Sequence, residues 1–302
     1  MVFQVTRVLT TVVAVTLVAT ACGSDSFPAA EGSTPTVGGS ASNSVAIDSA
    51  TSTVATPAAT PAAAPTTVAA TVAPPTTVEF PPAPRVLLIG DSTLQAVERY
   101  EKLPLLLGMD AVYEARSCRL LAVPSCGKDP PPNAVAVIDS AEGTFDMVVI
   151  MAGYDEWYDT FASSFDQVVA SARAKGAKRV LWLSYPEGVA YRLPDERPGN
   201  ESLVNINQIM RDKLASGAFP DVVIADWFHF ASAAAPGWWN GDGIHLSPAG
   251  AIAVADYISR KVAFTALLPC PMPREPGGAV EVPCSDPDVV GPVADVVALY
   301  AA

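Results

Sequence analysis

Five short stretches constrain the fold more than anything else in the chain: Arg85 to Gly90 (RVLLIG), Ala111 to Glu114, Asp146 to Met151 (DMVVIM), Arg179 to Ser184 (RVLWLS) and Asp221 to Ala225 (DVVIA). Most are near-continuous Val, Ile and Leu without polar alternation. That is the pattern of strands buried on both faces, which occur in parallel sheets covered by helices. Helical stretches are predicted between them over Thr93 to Leu107, Phe161 to Lys175 and Glu201 to Ala215. A last helix runs from Ala249 to Phe264, opened by Ser247 as N-cap and Pro248 at the first helical position, with Ile252, Ala255, Ile258 and Val262 as its apolar stripe. Strand and helix alternate over residues 85–265, which predicts an α/β domain, a three-layer sandwich with a central parallel sheet. In such sheets ligands bind outside the carboxyl ends of the strands, so the chemistry belongs in the loops that follow them.

The remainder of the chain is of another kind. Residues 1–21 hold one cation, Arg7, then a short apolar stretch and small residues, the pattern of a secretory signal peptide. Ala19-Thr20-Ala21-Cys22-Gly23 resembles a bacterial lipobox, with Ala19 where Leu is usual, and implies lipidation of Cys22. Residues 22–84 are almost wholly Ala, Pro, Thr, Val, Ser and Gly; lacking a periodic apolar face, they are expected to form a disordered tether. The chain is thus expected to be exported and held on the outer face of the cell membrane by its lipid alone. No apolar run reaches the roughly 18 residues of a spanning helix. With 31 Asp+Glu against 18 Lys+Arg, a net charge of −13 and no basic cluster, nucleic acid is disfavoured as a partner.

Five cysteines are an odd count, and a lipidated Cys22 leaves four. In an exported chain four imply two disulfides with three possible pairings, of which Cys118–Cys126 and Cys270–Cys284 close the shortest loops. Zinc is the competing reading. No spacing is Cys-x-x-Cys and only His229 and His245 are available to join, so neither metal nor cofactor is expected. The tail, residues 266–302, carries the second pair and is expected to wrap the domain's edge.

Two loops carry candidate chemistry. Gly90-Asp91-Ser92 follows the first strand and precedes a helix, which places the Ser92 hydroxyl beside free backbone N–H groups. That suits a nucleophile, and equally a plain N-cap serine. No Gly-x-Ser-x-Gly elbow occurs. Asp242-Gly243-Ile244-His245 precedes the last helix; its Asp and His, three apart on a turn, are able to serve as orienting acid and base for a serine, or simply as a surface Asp and a capping His.

Together the two blocks, at opposite ends of an α/β domain, resemble the SGNH hydrolase (GDSL esterase/lipase) superfamily. The resemblance implies an SGNH/flavodoxin-like fold over about Arg85 to Phe264, Ser92 as nucleophile, His245 as general base and acid, and Asp242 as its partner. It also implies an oxyanion hole built from the N–H of Ser92, the N–H of a Gly and the side-chain amide of an Asn. Here the second position is Ser117, which keeps its N–H. The third is Asp155, whose ionised carboxylate has no proton to donate. Three readings stay open: Asp155 is kept protonated beside Glu156, it points away and backbone N–H groups suffice, or the domain binds acylated ligands without turning them over.

Trp157, Tyr158, Tyr191, Trp238 and Trp239 fall in or beside the same loops, either as packing or as a platform for sugar rings, Trp157, Trp238 and Trp239 being the substrate-binding candidates. His229 reads as structural. The expected activity is an exported serine ester hydrolase removing or transferring an O-acyl group, acetyl above all, on a cell-envelope glycan. The alternative is a degenerate, ligand-binding SGNH lipoprotein.

Overall fold

A computed structural model describes residues 80–189, 192–193, 198–232, 237–293 and 295–300. The signal peptide, Cys22, all of the tether before Phe80, and Tyr191 lie outside the described residues.

Five strands form one parallel sheet: β1 (Arg85–Gly90), β2 (Asp110–Ala115), β3 (Met147–Met151), β4 (Arg179–Leu183) and β5 (Val222–Ala225), in the order β2-β1-β3-β4-β5. Every residue of β3, and Val86 to Ile89 of β1, are buried, as expected of strands covered on both faces. The chain steps from β1 to β2 in one direction and thereafter in the other. Because parallel crossovers keep one hand, the helix after β1 covers one face of the sheet and the helices after β2, β3 and β4 the other. This order is the flavodoxin-like one, whose switch point lies between β1 and β3.

The first connection differs from the expected single helix over Thr93 to Leu107. It holds a short α1 (Ala96–Arg99) and one turn of 3-10 helix (Leu103–Leu105). Pro104 cannot continue an α-helix, and Glu101 turns out of it with φ +58°. The longer helices fall close to expectation: α3 (Tyr158–Ala174), α4 (Gly199–Ala215) and α6 (Pro248–Thr265). The Ser247 Oγ accepts from the Gly250 N–H at 3.1 Å, the capping bond that Ser-Pro predicts. Two short helices, α2 (Ala134–Ser140), capped by Asn133, and α5 (Trp227–Ser232), were not expected.

The tail adds α7 (Pro287–Val290) and α8 (Val296–Leu299), both packed on α6, and thirteen residues of α6 are buried, Asp256, Arg260 and Lys261 among them. Each buried charge is answered. Arg260 pairs with Asp256 at 2.8 Å and donates to the Pro273 carbonyl, Tyr300 donates to Asp256 at 2.7 Å, and Lys261 reaches Asp286 and Asp288 at 2.7 and 2.6 Å. Disulfides join Cys118 to Cys126 and Cys270 to Cys284. No helix among the described residues is long and apolar enough to cross a membrane.

Candidate active site

Sheet register sets the stage. Gly90, Ala115 and Met151 stand level at the carboxyl edge of β1, β2 and β3, so Asp91-Ser92, Arg116-Ser117 and Ala152 to Asp155 leave the sheet side by side at the switch point. Gly90 is required there: a Cβ on it would lie 2.4 Å from the Leu94 Cβ, so no larger residue lets the chain turn this tightly from β1.

Asp91 holds two of these loops together. Its Oδ1 accepts from the Thr93 N–H at 2.9 Å and its Oδ2 from the Tyr154 N–H at 3.0 Å. Burial pushes its carboxyl up to about 7, against the pull of those two N–H groups. Beside it the Tyr154 ring packs on Tyr185 with centroids 4.9 Å apart.

The other half of the site comes from the far end of the domain. Trp239 and Leu246 bridge in antiparallel fashion, and the Ser247 N–H donates to the Trp238 carbonyl at 2.9 Å, closing the chain between them into a tight loop. Gly250, in the first turn of α6, seats this loop, because a Cβ there would come within 2.0 Å of the Trp238 carbonyl oxygen. Inside the loop Asp242 Oδ1 accepts from the N–H groups of Ile244 and His245, both at 2.9 Å. Its Oδ2 lies 2.7 Å from His245 Nδ1. Burial would raise the Asp242 carboxyl, but the His245 ring and the two backbone N–H groups outweigh it and hold the group below its usual range. An ionised Asp242 accepts a hydrogen bond from the Nδ1–H, which fixes the tautomer and leaves Nε2 with its lone pair, 2.9 Å from the Ser92 Oγ. Ser92, His245 and Asp242 thus form one continuous relay.

The oxyanion candidates lie on the two neighbouring loops. The N–H groups of Ser92 and Ser117 meet no acceptor among the described residues, and the Ser117 hydroxyl donates to Gln95 Oε1 at 2.7 Å. Asp155 is partly buried, with its Oδ2 3.8 Å from the Cys126 Sγ, so its carboxylate lies along the Cys118–Cys126 disulfide. Ligand-type atoms of Cys118, Cys126 and Asp155 come within 4.8 Å of one another, but both sulfurs are spent on the disulfide, so this trio is not a metal ligand set. Glu156 is turned inward: it accepts from the Leu121 N–H at 2.9 Å and from the hydroxyls of Thr160 and Ser164. Burial raises its carboxyl. Glu156 therefore pins the Leu121 segment to α3, a role with no signal in the sequence.

Trp238 does not serve as a sugar platform. It is buried, its ring stacked on Trp227 with centroids 6.0 Å apart and planes 3° apart. A tryptophan in a loop reads the same in sequence whether it faces solvent or anchors that loop to the core. Trp239 is half-buried against Trp227, and Trp157, also half-buried, stands at the start of α3 with its ring 4.4 Å from that of Tyr158. His229 sits exposed on α5, away from the relay's hydrogen bonds.

No protein-family model matches the chain, and no curated protein is significantly similar to it. Solved structures are. An aryl esterase from M. smegmatis is 18% identical, with 58% of this chain and 98% of that one covered and a TM-score of 0.43. A carbohydrate acetylesterase from Sinorhizobium meliloti is 20% identical over 59% and 98%, TM-score 0.44. The catalytic domain of a peptidoglycan O-acetyltransferase from Streptococcus pneumoniae is 18% identical over 60% and 96%, TM-score 0.40.

Proposed function

We propose that this chain is a serine ester hydrolase or O-acyltransferase of the SGNH type. The observation that carries the proposal is the relay of 2.9 Å from Ser92 Oγ to His245 Nε2 and 2.7 Å from His245 Nδ1 to Asp242. In this mechanism His245 takes the Ser92 proton as Oγ attacks the acyl carbonyl, and the developing oxyanion is met by the N–H groups of Ser92 and Ser117. His245 then returns the proton to the leaving alcohol, and the acyl-serine passes its group to water or to a second hydroxyl.

The substrate we propose is a short acyl ester, acetyl above all, on a cell-envelope glycan. Two features support this. The relay is open, the side chains of His245 and Asp242 being 33% and 43% exposed, which leaves room for an ester carried on a bulky polymer. The signal, lipobox and tether readings of the sequence support an exported domain, which would meet such polymers. Trp157 and Trp239, each partly exposed, are the remaining candidates for contact with sugar rings. A second reading, binding of acylated ligands without turnover, is favoured only by the carboxylate at Asp155.

Mature protein and Ser92→Ala, assayed side by side with p-nitrophenyl acetate, separate the two. Loss of the nucleophile is expected to lower kcat by about a thousandfold or more. Equal rates for the two proteins would sink the ester-cleaving reading.

A further inference from the structure

An oxyanion hole made of backbone N–H groups works only if those groups are held at the right spacing before the reaction begins. Ser92 and Ser117 stand on different loops, and besides the bonds of the Tyr113 hydroxyl to the Leu94 carbonyl at 2.6 Å and of Arg119 Nη1 to the Gly90 carbonyl at 3.5 Å, three contacts tie them together. The Arg116 N–H donates to the Gly90 carbonyl at 3.1 Å, which simply continues the sheet. Arg116 Nη1 donates to Glu98 at 3.3 Å, a pair between exposed groups that contributes little to position. The third runs from the Ser117 hydroxyl to Gln95 Oε1 at 2.7 Å. Gln95 follows Ser92 by three residues, and its N–H donates to the Asp91 carbonyl at 3.0 Å. Its side chain therefore springs from the same turn that presents the nucleophile. Beyond Ser117 the loop is pinned again, by Cys118, which takes φ +64° and is bonded to Cys126.

We propose that Gln95 is a positioning residue of the ester-cleaving site: by accepting from the Ser117 hydroxyl it sets the distance between the Ser92 and Ser117 N–H groups. This rests on the reading of Ser92 as nucleophile. With a carboxylate at 155 in place of an amide donor, two backbone donors carry the oxyanion, and their spacing matters correspondingly more. Ser117 thus acts twice, with its N–H toward the substrate and its hydroxyl toward Gln95.

The test measures kcat and KM on p-nitrophenyl acetate for Gln95→Ala, Ser117→Ala, Ser117→Thr and the Gln95→Ala/Ser117→Ala double variant, with Ser92→Ala as blank and thermal unfolding followed for each. Gln95→Ala and Ser117→Ala should each lower kcat about tenfold with KM within about twofold, a part of what an entire oxyanion donor contributes. The double variant should be no worse than either single one, because both remove the same bond. Ser117→Thr, which keeps the hydroxyl, should restore most of kcat. A kcat within about twofold of wild type in both single variants, with the Ser92→Ala blank inactive, would overturn the role of Gln95 alone; so would losses that multiply in the double variant. A wild-type protein without Ser92-dependent turnover overturns the ester-cleaving reading and this inference with it. Should Gln95→Ala unfold, Ser117→Ala decides the matter, since it deletes one exposed hydroxyl.

Discussion

At position 155 a carboxylate replaces the amide that the resemblance to SGNH hydrolases implies, and the side chain lies along a disulfide, with Oδ2 3.8 Å from Cys126 Sγ. In the proposed mechanism backbone donors hold the oxyanion, so Asp155→Asn should change kcat by no more than about threefold; a gain of about a hundredfold in the p-nitrophenyl acetate assay would show that the charge faces the reacting carbonyl. Asp91, one residue before Ser92, has a different signature. Buried, it ionises only near 7 in the folded protein, against an ordinary 3.8. Between those values the folded chain holds a proton that the unfolded chain has lost. Its contribution to stability is therefore complete below 3.8 and is lost as pH rises toward 7, by up to about 1.4 kcal/mol per pH unit. Urea midpoints should fall for the wild type from pH 5 to pH 7, and Asp91→Asn, which keeps one acceptor and cannot ionise, should flatten that slope. An unchanged slope in the variant would assign the proton elsewhere, Glu156 and Asp256 being the other buried carboxyls that burial raises.

Among the elements, the loop from Trp238 to Ser247 and the first turn of α6 act as one piece. Gly250→Ala would drive a methyl group into the Trp238 carbonyl and displace the loop that carries Asp242 and His245. It should cost about 2 kcal/mol in a urea titration and lower kcat more than KM. Wild-type values for both would show that the loop has room to move. What could be read in the sequence follows from how local each signal is. The strands were legible as short apolar runs, which are almost wholly buried in β1, β3 and β4, whereas the edge strand β2 is buried only at Ala115. The relay was legible because Gly-Asp-Ser and Asp-x-x-His are contiguous motifs placed at strand and helix ends. The break in the first connection was written in Pro104 but outweighed by the apolar pattern around it. Gln95 had one faint signal, its spacing of three from Ser92, and its meaning appears only when β2 brings Ser117 alongside. Trp238 was misplaced because its burial depends on Trp227 and Phe230, which reach it through the fold rather than along the chain.

At the scale of the described domain, the tail makes α6 an inner helix, packed against α1 and the 3-10 turn and also against α7 and α8. Asp256, Arg260 and Lys261 are buried as a result, an arrangement that the apolar stripe of α6 alone does not predict. Lys261→Met should remove the partner of Asp286 and Asp288 and destabilise the fold by about 2 to 3 kcal/mol, less than for a fully buried pair because both carboxylates keep some solvent. A urea midpoint equal to wild type would mean that apolar packing, not these ion pairs, holds the tail. The relay spans the molecule too: Ser92 and His245 are 153 residues apart. Their meeting requires β1 paired between β2 and β3, the seated 238–247 loop and α6 in place beneath it. During refolding from urea, then, the return of ester cleavage is a stopwatch for the last docking event, and it should lag the recovery of circular dichroism rather than accompany it.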